Sequence, residues 1–452
     1  MAMLDFVVIF AYFLLVLTLG LISSKKVKTI EDYATGGRFY SAFFIFATLS
    51  SSFIGGGFTT GLASKVFSCG LLYVVALWGF SLKEILIAQY IAPCMSRYRD
   101  AISVGDIMAR SYGVGAQLLT GLSSVLLCAG IAAAQFSAFG HMLQLLLGVP
   151  YIYGVCLGAL LVVLYSSLGG MKAVVANDTL HFCVLIIALP LVFLFGLYKI
   201  GGPVILFEEI GLQVPINPIS YKELIALFIS FFLGETLVPP YVQRLLIGKD
   251  SHQTQKGTIW SGLLSIPFFL MIGLIGLIAF KLDSAVEPNT ALVFVLQETM
   301  PIGLRGFAMA GMIAVIMSSA DSFLNAAGIA ASWDIIDVLY KPKKGLLRIS
   351  RVATLGVGVL SAYFALTSIG VLDLLLYAYS FWTPVILVPL MAAILGYSSS
   401  IEGFWVSSLA GIGVAFSYSW LYPDSINATL LGVAVNSFCF LFFSKMKERF
   451  SF

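Results

Sequence analysis

The sequence is poor in charged residues: Asp, Glu, Lys and Arg make up only 10% of its 452 residues, while 60% of the residues are hydrophobic. A soluble globular domain carries about 25% charged and about 45–50% apolar residues. This shortage excludes a water-soluble enzyme, a disordered chain and a nucleic-acid-binding protein, because each of these classes exposes many more charged side chains. The composition instead indicates an integral membrane protein, whose surroundings are the lipid bilayer.

Several chemical motifs are absent as well. The sequence contains no Walker motif and no linker to a soluble domain, which excludes ATP as an energy source on this chain. Its six cysteines and three histidines show no C-x-x-C pair and no metal-ligand spacing, so we expect reduced cysteines that serve in packing. No nucleophile–base pair is evident, and an enzyme is therefore not expected.

What the sequence has instead is a series of long apolar segments. Each is about 18 residues or longer, close to the length that a membrane-spanning helix needs. Helices rather than barrel strands are predicted, because the segments lack period-2 alternation. About thirteen transmembrane helices are expected. The predicted spans are 5–23, 42–66, 70–94, 115–147, 151–168, 178–199, 222–244, 258–281, 303–338, 350–369, 371–396, 402–421 and 427–444.

Basic residues are distributed unevenly between the predicted loops. Nineteen Lys and Arg residues, Arg244 among them, fall in one set of alternate loops, five fall in the opposite set, and Lys83 lies within a span. Because loops rich in Lys and Arg stay in the cytoplasm, the N-terminus is predicted outside and the C-terminus in the cytoplasm, in the plasma (inner) membrane.

Two of the spans contain residues that interrupt a helix. The second span holds Gly55-Gly56-Gly57, and the seventh holds Pro239-Pro240. Each glycine costs about 1 kcal/mol relative to alanine in a helix, and each proline removes a backbone donor. Close helix packing and a simple kink are the alternative explanations. Because the two breaks lie five spans apart and run in opposite directions, they favour an inverted repeat with the substrate site at the breaks.

This interpretation divides a single transmembrane domain into four parts. Residues 1–41 form an extra first helix and an inner loop, residues 42–200 the first repeat, residues 201–396 the second repeat, and residues 397–452 two extra C-terminal helices.

The ninth span carries polar residues on one helix face. Ser318, Asp321, Ser322 and Asn325 have the spacing i, i+3, i+4 and i+7. A carboxylate in the membrane must face the bundle interior, and oxygen ligands suit a hard cation. The stripe therefore favours a cation site over interhelical hydrogen bonding alone. Asp178 is either a helix N-cap or a second carboxylate on the route of the ion.

Charged residues at membrane depth are the other candidates for a binding site. Lys83 and Glu84 are adjacent in the third span; because adjacent helix residues do not face each other, different partners are expected for them, such as Glu235 or a substrate carboxylate. Together with polar groups at membrane depth and residues of the two breaks, they make up a predicted substrate site. Its candidate residues are Ser52, Gly55, Gly56, Lys83, Gln135, Glu235, Tyr241 and Ser380.

Four stretches in the same order resemble the sodium:solute symporter family, which includes proline, galactose and sialic acid transporters. They are Ile30 to Arg38 (IEDYATGGR), Leu168 to Val174 followed by Asp178, Val242 to Asp250 followed by Lys256-Gly257, and Ser318 to Ser322. The resemblance implies a leucine-transporter-like fold with a five-plus-five inverted repeat, and coupling to sodium.

The resemblance also implies ligands for the coupling ion. One sodium site would use the backbone carbonyls of Ser51, Ile54 and Val315 with the hydroxyls of Ser318 and Ser319. Some members have a further sodium site, and the residues matching it are Ser318, Asp321, Ser322 and Asp178. Asp321 replaces the serine expected there, so it either strengthens cation binding or carries a proton.

The predicted function is a sodium-coupled secondary active symporter that imports a small organic solute, such as an amino acid or a carboxylate, by alternating access. A proton-coupled symporter of the same fold and a membrane sensor, or transceptor, are the alternatives. A monomer or weak oligomer is expected.

Overall fold

The computed structural model describes residues 3–210, 219–342, 345–367, 378–379, 382–397, 399–422 and 427–450. Within these ranges the regular structure is helical, apart from an isolated bridge between Tyr40 and Gly248. The helices are α1 (Met3–Ser24), α2 (Ile30–Thr35), α3 (Ala42–Phe53), α4 (Leu62–Cys69), α5 (Tyr73–Leu86), α6 (Val104–Tyr112), α7 (Val114–Leu147), α8 (Tyr151–Lys199), α9 (Pro203–Ile210), α10 (Tyr221–Gly234), α11 (Pro239–Leu246), α12 (Ser251–Leu282), α13 (Ala291–Thr299), α14 (Leu304–Ile329), α15 (Val338–Tyr340), α16 (Leu346–Ala365), α17 (Thr383–Leu395), α18 (Ile401–Leu421) and α19 (Asn427–Phe450).

The described residues contain nine helices long and apolar enough to cross a membrane, or up to eleven spans if each of two bent pairs counts as one. The two parts of α8 together contain 49 residues, or about 74 Å of helix, more than twice the thickness of a hydrocarbon core. Two spans were predicted in this stretch. The predicted span 371–396 includes α17, and its residues 371–377, 380 and 381 lie outside the described ranges. The all-helical membrane fold is confirmed, and the number thirteen stays a prediction.

Gly170 divides α8 into two parts. Its backbone is non-helical, with φ 50° and ψ −147°, a region that favours glycine. A Cβ atom at this position would lie 2.6 Å from the carbonyl oxygen of Tyr33 in α2. The kink therefore lets the short helix α2 pack directly against α8, and it sets the start of the part of α8 that carries Asp178.

An ion pair fixes the same contact between α2 and α8. Lys172 Nζ lies 2.5 Å from Asp32 Oδ1. Partial burial raises the pKa of the Asp32 carboxyl, but the Lys172 ammonium and the backbone N–H groups of Lys28 and Thr29 outweigh it and hold the pKa below its ordinary value. Two of the stretches that carry the family resemblance thus meet at one interface.

Both predicted breaks interrupt their helices. Helix α3 and the segment Gly57–Cys69 are bent by 64°, and α10 and α11 by 53°. At the second break Leu237 has a positive φ of 54°, and Pro239 and Pro240 are the first residues of α11. Proline is well tolerated there because the first turn of a helix does not use its N–H groups. The prolines therefore begin a new helix rather than kink a continuous one.

Helix α14 lies at the centre of the fold. It packs against α7, α8, α1 and α16, and it also contacts α3 and α11, which flank the two breaks. Every residue from Ala308 to Ile329 is buried. The polar stripe of α14 therefore faces protein on all sides, as the cost of a charged group in lipid requires.

Candidate functional site

The end of α3 meets the serines of α14. Ser318 Oγ lies 3.0 Å from Ser51 Oγ, and Ser319 Oγ donates to the carbonyl oxygen of Ser52 at 2.7 Å. A Cβ atom at Gly55 would approach Ser319 Oγ to 2.9 Å. Glycine at the start of the break therefore allows α3 and α14 to approach this closely.

The two other predicted carbonyl ligands, those of Ile54 and Val315, are buried in the same region. Their residues are 1% and 2% exposed. Ile54 follows the last residue of α3 and has a ψ of 59°, so its carbonyl no longer points along the helix axis towards an intrahelical donor. Such a carbonyl at membrane depth is available to a cation.

Asp178 joins four helices through its carboxylate. Its Oδ1 accepts from Ser318 Oγ at 2.5 Å. Its Oδ2 accepts from Ser52 Oγ at 3.1 Å, from Arg244 Nη2 at 3.1 Å and from Thr48. Asp178 lies inside α8, and its bonds come from the side chains of other helices. The structure therefore does not support the N-cap alternative.

Asp321 is bound to a different part of α8. Its Oδ2 accepts from the Tyr165 hydroxyl at 2.8 Å, and its Oδ1 accepts from Ser322 Oγ at 3.2 Å. Both Asp321 and Asp178 are fully buried. Each carboxylate thus contacts a serine that is predicted to bind a cation: Asp178 contacts Ser318, and Asp321 contacts Ser322.

Arg244 corrects the topology prediction. It was counted with the basic residues of the cytoplasmic loops, but its side chain is fully buried. Nη2 donates to Asp178, to Ser52 at 3.2 Å and to Ser322. Nε donates to Thr48 at 3.3 Å, and Nη1 to the carbonyl of Pro240 at 3.1 Å. Arg244 belongs to a buried site, and without it eighteen basic residues mark the predicted inner loops.

We refer to Asp178, Arg244, Ser318, Asp321 and Ser322 as the arginine cluster. It contains two carboxylates and one guanidinium, and Ser318 also contacts Ser51 at the first break.

A second group of charges lies at the second break. The Lys83 ammonium is 2.9 Å from Glu84 Oε1, and the Tyr241 hydroxyl donates to Glu84 Oε2 at 2.9 Å. The expectation that Lys83 and Glu84 meet different partners is therefore wrong for this pair. The four-carbon stem of lysine is flexible enough to reach the carboxylate of the next residue.

Aromatic rings surround the Lys83 ammonium. Its Nζ lies 3.8 Å from the ring centre of Phe80, 4.8 Å from that of Tyr241 and 5.8 Å from that of Phe53. Such rings stabilise a cation through their negative faces. Lys83 and Glu84 are 1% and 0% exposed.

Glu235, in the second break, has one bound and one unbound oxygen. Its Oε1 accepts from the Tyr379 hydroxyl at 2.5 Å. Its Oε2 is buried and has no hydrogen-bond partner among the described residues. Glu235 is also within electrostatic range of Lys83 and Glu84. We refer to Lys83, Glu84, Glu235, Tyr241 and Tyr379 as the lysine cluster.

The structure sorts the predicted substrate-site residues into different places. Ser52 lies with the arginine cluster rather than the lysine cluster, and Gly55 and Gly56 lie at the first break. Gln135 is buried in α7, and no described contact joins it to either cluster. Ser380 lies outside the described residues.

Two short segments connect the clusters. Tyr241 and Arg244 lie three residues apart in α11 and contact different clusters. At the end of α3, Ser52 contacts the arginine cluster, and its neighbour Phe53 packs against Tyr241 with ring centres 5.2 Å apart. A displacement of α11 or of the end of α3 would therefore change the contacts in both clusters.

Sequence reasoning missed three residues of the arginine cluster and its surroundings, namely Thr48, Tyr165 and Arg244. A signal was present for Arg244: it follows Tyr241-Val242-Gln243 and precedes Leu245-Leu246-Ile247, a largely apolar setting for a loop arginine. Thr48 and Tyr165 gave no such signal, because single hydroxyl groups are common in transmembrane helices.

Comparison with known proteins places this geometry in a family. The model of the sodium:solute symporter family matches residues 33–411. The osmoregulated proline transporter of Bacillus subtilis (strain 168) is 25% identical over 391 residues, which cover 82% of this chain and 79% of the relative. A sodium/proline symporter of Staphylococcus aureus is 23% identical over 366 residues, which cover 75% of this chain and 69% of the relative.

Solved structures share the fold. A Na+-coupled sialic acid symporter in a substrate-bound outward-open state superimposes with a TM-score of 0.86 at 18% identity, covering 98% of both chains. Mhp1, a nucleobase-cation-symport-1 family transporter in a closed conformation, superimposes with a TM-score of 0.62 at 13% identity and covers 93% of this chain and 96% of its own. These likenesses confirm the leucine-transporter-like fold.

Proposed function

The chain belongs to the sodium:solute symporter family, and on this premise we propose that it imports a small zwitterionic solute together with sodium. It is a multi-pass membrane transporter rather than an enzyme. The observation that carries the substrate class is the lysine cluster, in which an ammonium and a carboxylate with an unbound oxygen lie within electrostatic range of each other at a broken helix.

The proposed sodium site lies between the first break and α14. Its ligands are the carbonyls of Ser51, Ile54 and Val315 and the hydroxyls of Ser318 and Ser319. Two contacts support this assignment: Ser318 reaches Ser51, and Ser319 reaches the carbonyl of Ser52. A hard cation prefers such oxygen ligands, and Asp178 supplies a charge beside Ser318.

The proposed solute site is the lysine cluster beside the first break. The solute carboxylate would bind the Lys83 ammonium, which has an ion-pair contact to Glu84 but no hydrogen-bond partner among the described residues. The solute ammonium would bind Glu235 Oε2. Gly55 and Gly56 would leave space for the solute backbone. The proline transporters among the relatives carry a zwitterion, which agrees with this charge pattern.

Transport would follow alternating access. In this scheme residues 42–200 and 201–396 form the two repeats, and the N-terminus faces outside in the plasma (inner) membrane. Sodium would stabilise the outward-open state by holding α3 against α14, and solute binding would favour closure. Since α11 and the end of α3 contact both clusters, sodium binding would change the affinity for solute, and solute binding would change the affinity for sodium by the same factor.

A thermal-shift screen followed by uptake tests this proposal. Purified protein is heated with amino acids, carboxylates, polyols or ureides, in sodium and in potassium chloride; a bound ligand raises the unfolding temperature. We expect zwitterionic amino acids to raise it only in sodium. The best ligand, radiolabelled, should then enter proteoliposomes along an inward sodium gradient. Uptake that ignores sodium and requires a proton gradient would contradict the proposal and favour a proton symporter.

A further inference from the structure

We infer that Arg244 fills the second cation site of this chain as a tethered cation, so that the transporter binds and couples one sodium ion per cycle. The inference rests on the proposed sodium-coupled function. The residues predicted to hold a second sodium ion are Asp178, Ser318, Asp321 and Ser322, and the guanidinium of Arg244 already contacts two of them, Asp178 and Ser322.

The Arg244 guanidinium occupies the second cation site through direct hydrogen bonds to its ligands. Its Nη2 donates to Asp178 Oδ2 at 3.1 Å, to Ser52 Oγ at 3.2 Å and to Ser322. The oxygen atoms of Asp178 and Ser322 are ones that a second sodium ion would need as ligands. A sodium ion added there would have to displace the guanidinium from Asp178 and Ser322.

The position of the guanidinium is held from two further sides. Nε donates to Thr48 in α3, and Nη1 donates to the carbonyl of Pro240 in the same helix α11. Arginine keeps its charge in proteins at any accessible pH, so this positive charge is permanent. It differs from a diffusible ion because the protein carries it in every state of the cycle.

Charge balance fixes the number of mobile cations. With both carboxylates ionised, Asp178 and Asp321 contribute two negative charges and Arg244 contributes one positive charge, and all three residues are fully buried. Uncompensated charge is costly in a buried environment. One sodium ion at Ser318 and Ser319 completes the balance, because Ser318 is bonded to Asp178. A second sodium ion would leave an excess positive charge.

The same balance of buried charges explains why an aspartate, Asp321, occupies the position where the family resemblance predicts a serine. With a serine there, Asp178 and Arg244 alone would be neutral and would offer no net attraction to sodium. The Asp321 carboxylate lies next to Ser322, which contacts Arg244. Asp321 therefore supplies the negative charge that the sodium ion neutralises.

Equilibrium binding of radioactive sodium to the purified full-length protein tests the inference without knowledge of the solute. The wild type should bind one sodium ion per protein. Arg244→Gln removes the tethered charge and should bind two. Arg244→Lys keeps the charge and should bind one, which makes it the matched control. Asp321→Ser should lower sodium affinity at least about 10-fold, which corresponds to 1.4 kcal/mol.

Each possible number of bound sodium ions either supports or overturns the inference. Two sodium ions bound to the wild type would overturn the tethered-cation inference and leave sodium symport intact. No bound sodium would overturn the proposed function itself. A folded Arg244→Gln protein that still binds one ion would also overturn the inference. If Arg244→Gln does not fold, the wild-type number and the Asp321→Ser affinity still decide.

Discussion

The arginine cluster and the lysine cluster have the same charges but differ in hydrogen bonding. Each contains two carboxylates and one basic group. In the arginine cluster every charged side-chain atom has a partner. In the lysine cluster the buried Lys83 Nζ and Glu84 Oε1 share a single 2.9 Å ion-pair contact, and the buried Glu235 Oε2 has no hydrogen-bond partner among the described residues.

This difference in hydrogen bonding indicates that the arginine cluster is a fixed framework and that the lysine cluster is a binding site. Buried polar groups are normally hydrogen-bonded, and leaving one unpaired costs about 1–3 kcal/mol. A saturated cluster holds its geometry and presents only a net charge, which suits a small ion. An unsaturated cluster gains energy when a ligand supplies the missing bonds, which suits an organic solute with charged groups. The comparison supports the proposal that sodium binds beside the arginine cluster, at Ser318 and Ser319, and that the solute binds in the lysine cluster.

The largest effect is expected from Asp178→Ala. It leaves the Arg244 guanidinium buried without its carboxylate, and breaking a buried ion pair costs about 3–5 kcal/mol. The unfolding temperature should fall strongly and sodium-driven uptake should vanish. The Thr48→Val control removes one neutral donor to the same carboxylate and the acceptor of Arg244 Nε but keeps the ion pair, and it should cost less. Equal losses in both variants would contradict the central role of the ion pair.

Lys83→Met tests whether the clusters are separable. It removes the ammonium proposed to bind the solute carboxylate, and a hydrogen bond to a charged group is worth about 1.5–3 kcal/mol. Solute affinity, measured by thermal shift, should therefore fall about 10–100-fold. Sodium binding should keep one ion per protein. A loss of sodium binding in this variant would mean that the two clusters form one site.

Ser319→Ala addresses the sodium ligands directly. It removes a hydroxyl that bonds the carbonyl of Ser52 and leaves the arginine cluster unchanged. Sodium affinity should fall about 5–10-fold, the effect of about 1 kcal/mol or slightly more. Ser332→Ala, at a buried serine towards the C-terminal end of the same span, is the matched control. Unchanged sodium affinity in Ser319→Ala would contradict the site assignment.

Tyr379→Phe should have the smallest effect. It removes one neutral donor to Glu235 Oε1 and keeps the aromatic ring, so the expected loss is about 0.5–1.5 kcal/mol. Solute affinity should fall a few-fold, and sodium binding should not change. An effect as large as that of Lys83→Met would show that Tyr379 contacts the solute itself.

The sequence was sufficient for the polar stripe and the breaks because residue type alone carries that information. An aspartate in an apolar helix must face protein, and Gly-Gly-Gly and Pro-Pro each destabilise a continuous helix. Arg244 was misplaced because the positive-inside rule assigns an arginine at a span end to a loop. Its burial depends on Asp178, which is 66 positions away in sequence.

The Lys83–Glu84 pair shows a different limit of sequence reasoning. The rule that adjacent helix residues do not face each other describes the directions of their Cβ atoms. Long side chains can bend back, and here a cage of Phe53, Phe80 and Tyr241 holds the ammonium close to the helix. Those rings come from α3, α5 and α11, and only the folded structure brings them together.

The most direct test of the division between the clusters is sodium binding to Lys83→Met and Ser318→Ala, measured side by side with radioactive sodium. Ser318 is a proposed sodium ligand and also bonds Asp178, whereas Lys83 lies in the other cluster. We expect Lys83→Met to retain one sodium site of wild-type affinity and Ser318→Ala to lose it. Loss of the site in Lys83→Met, or its retention in Ser318→Ala, would contradict the assignment of sodium and solute to separate sites.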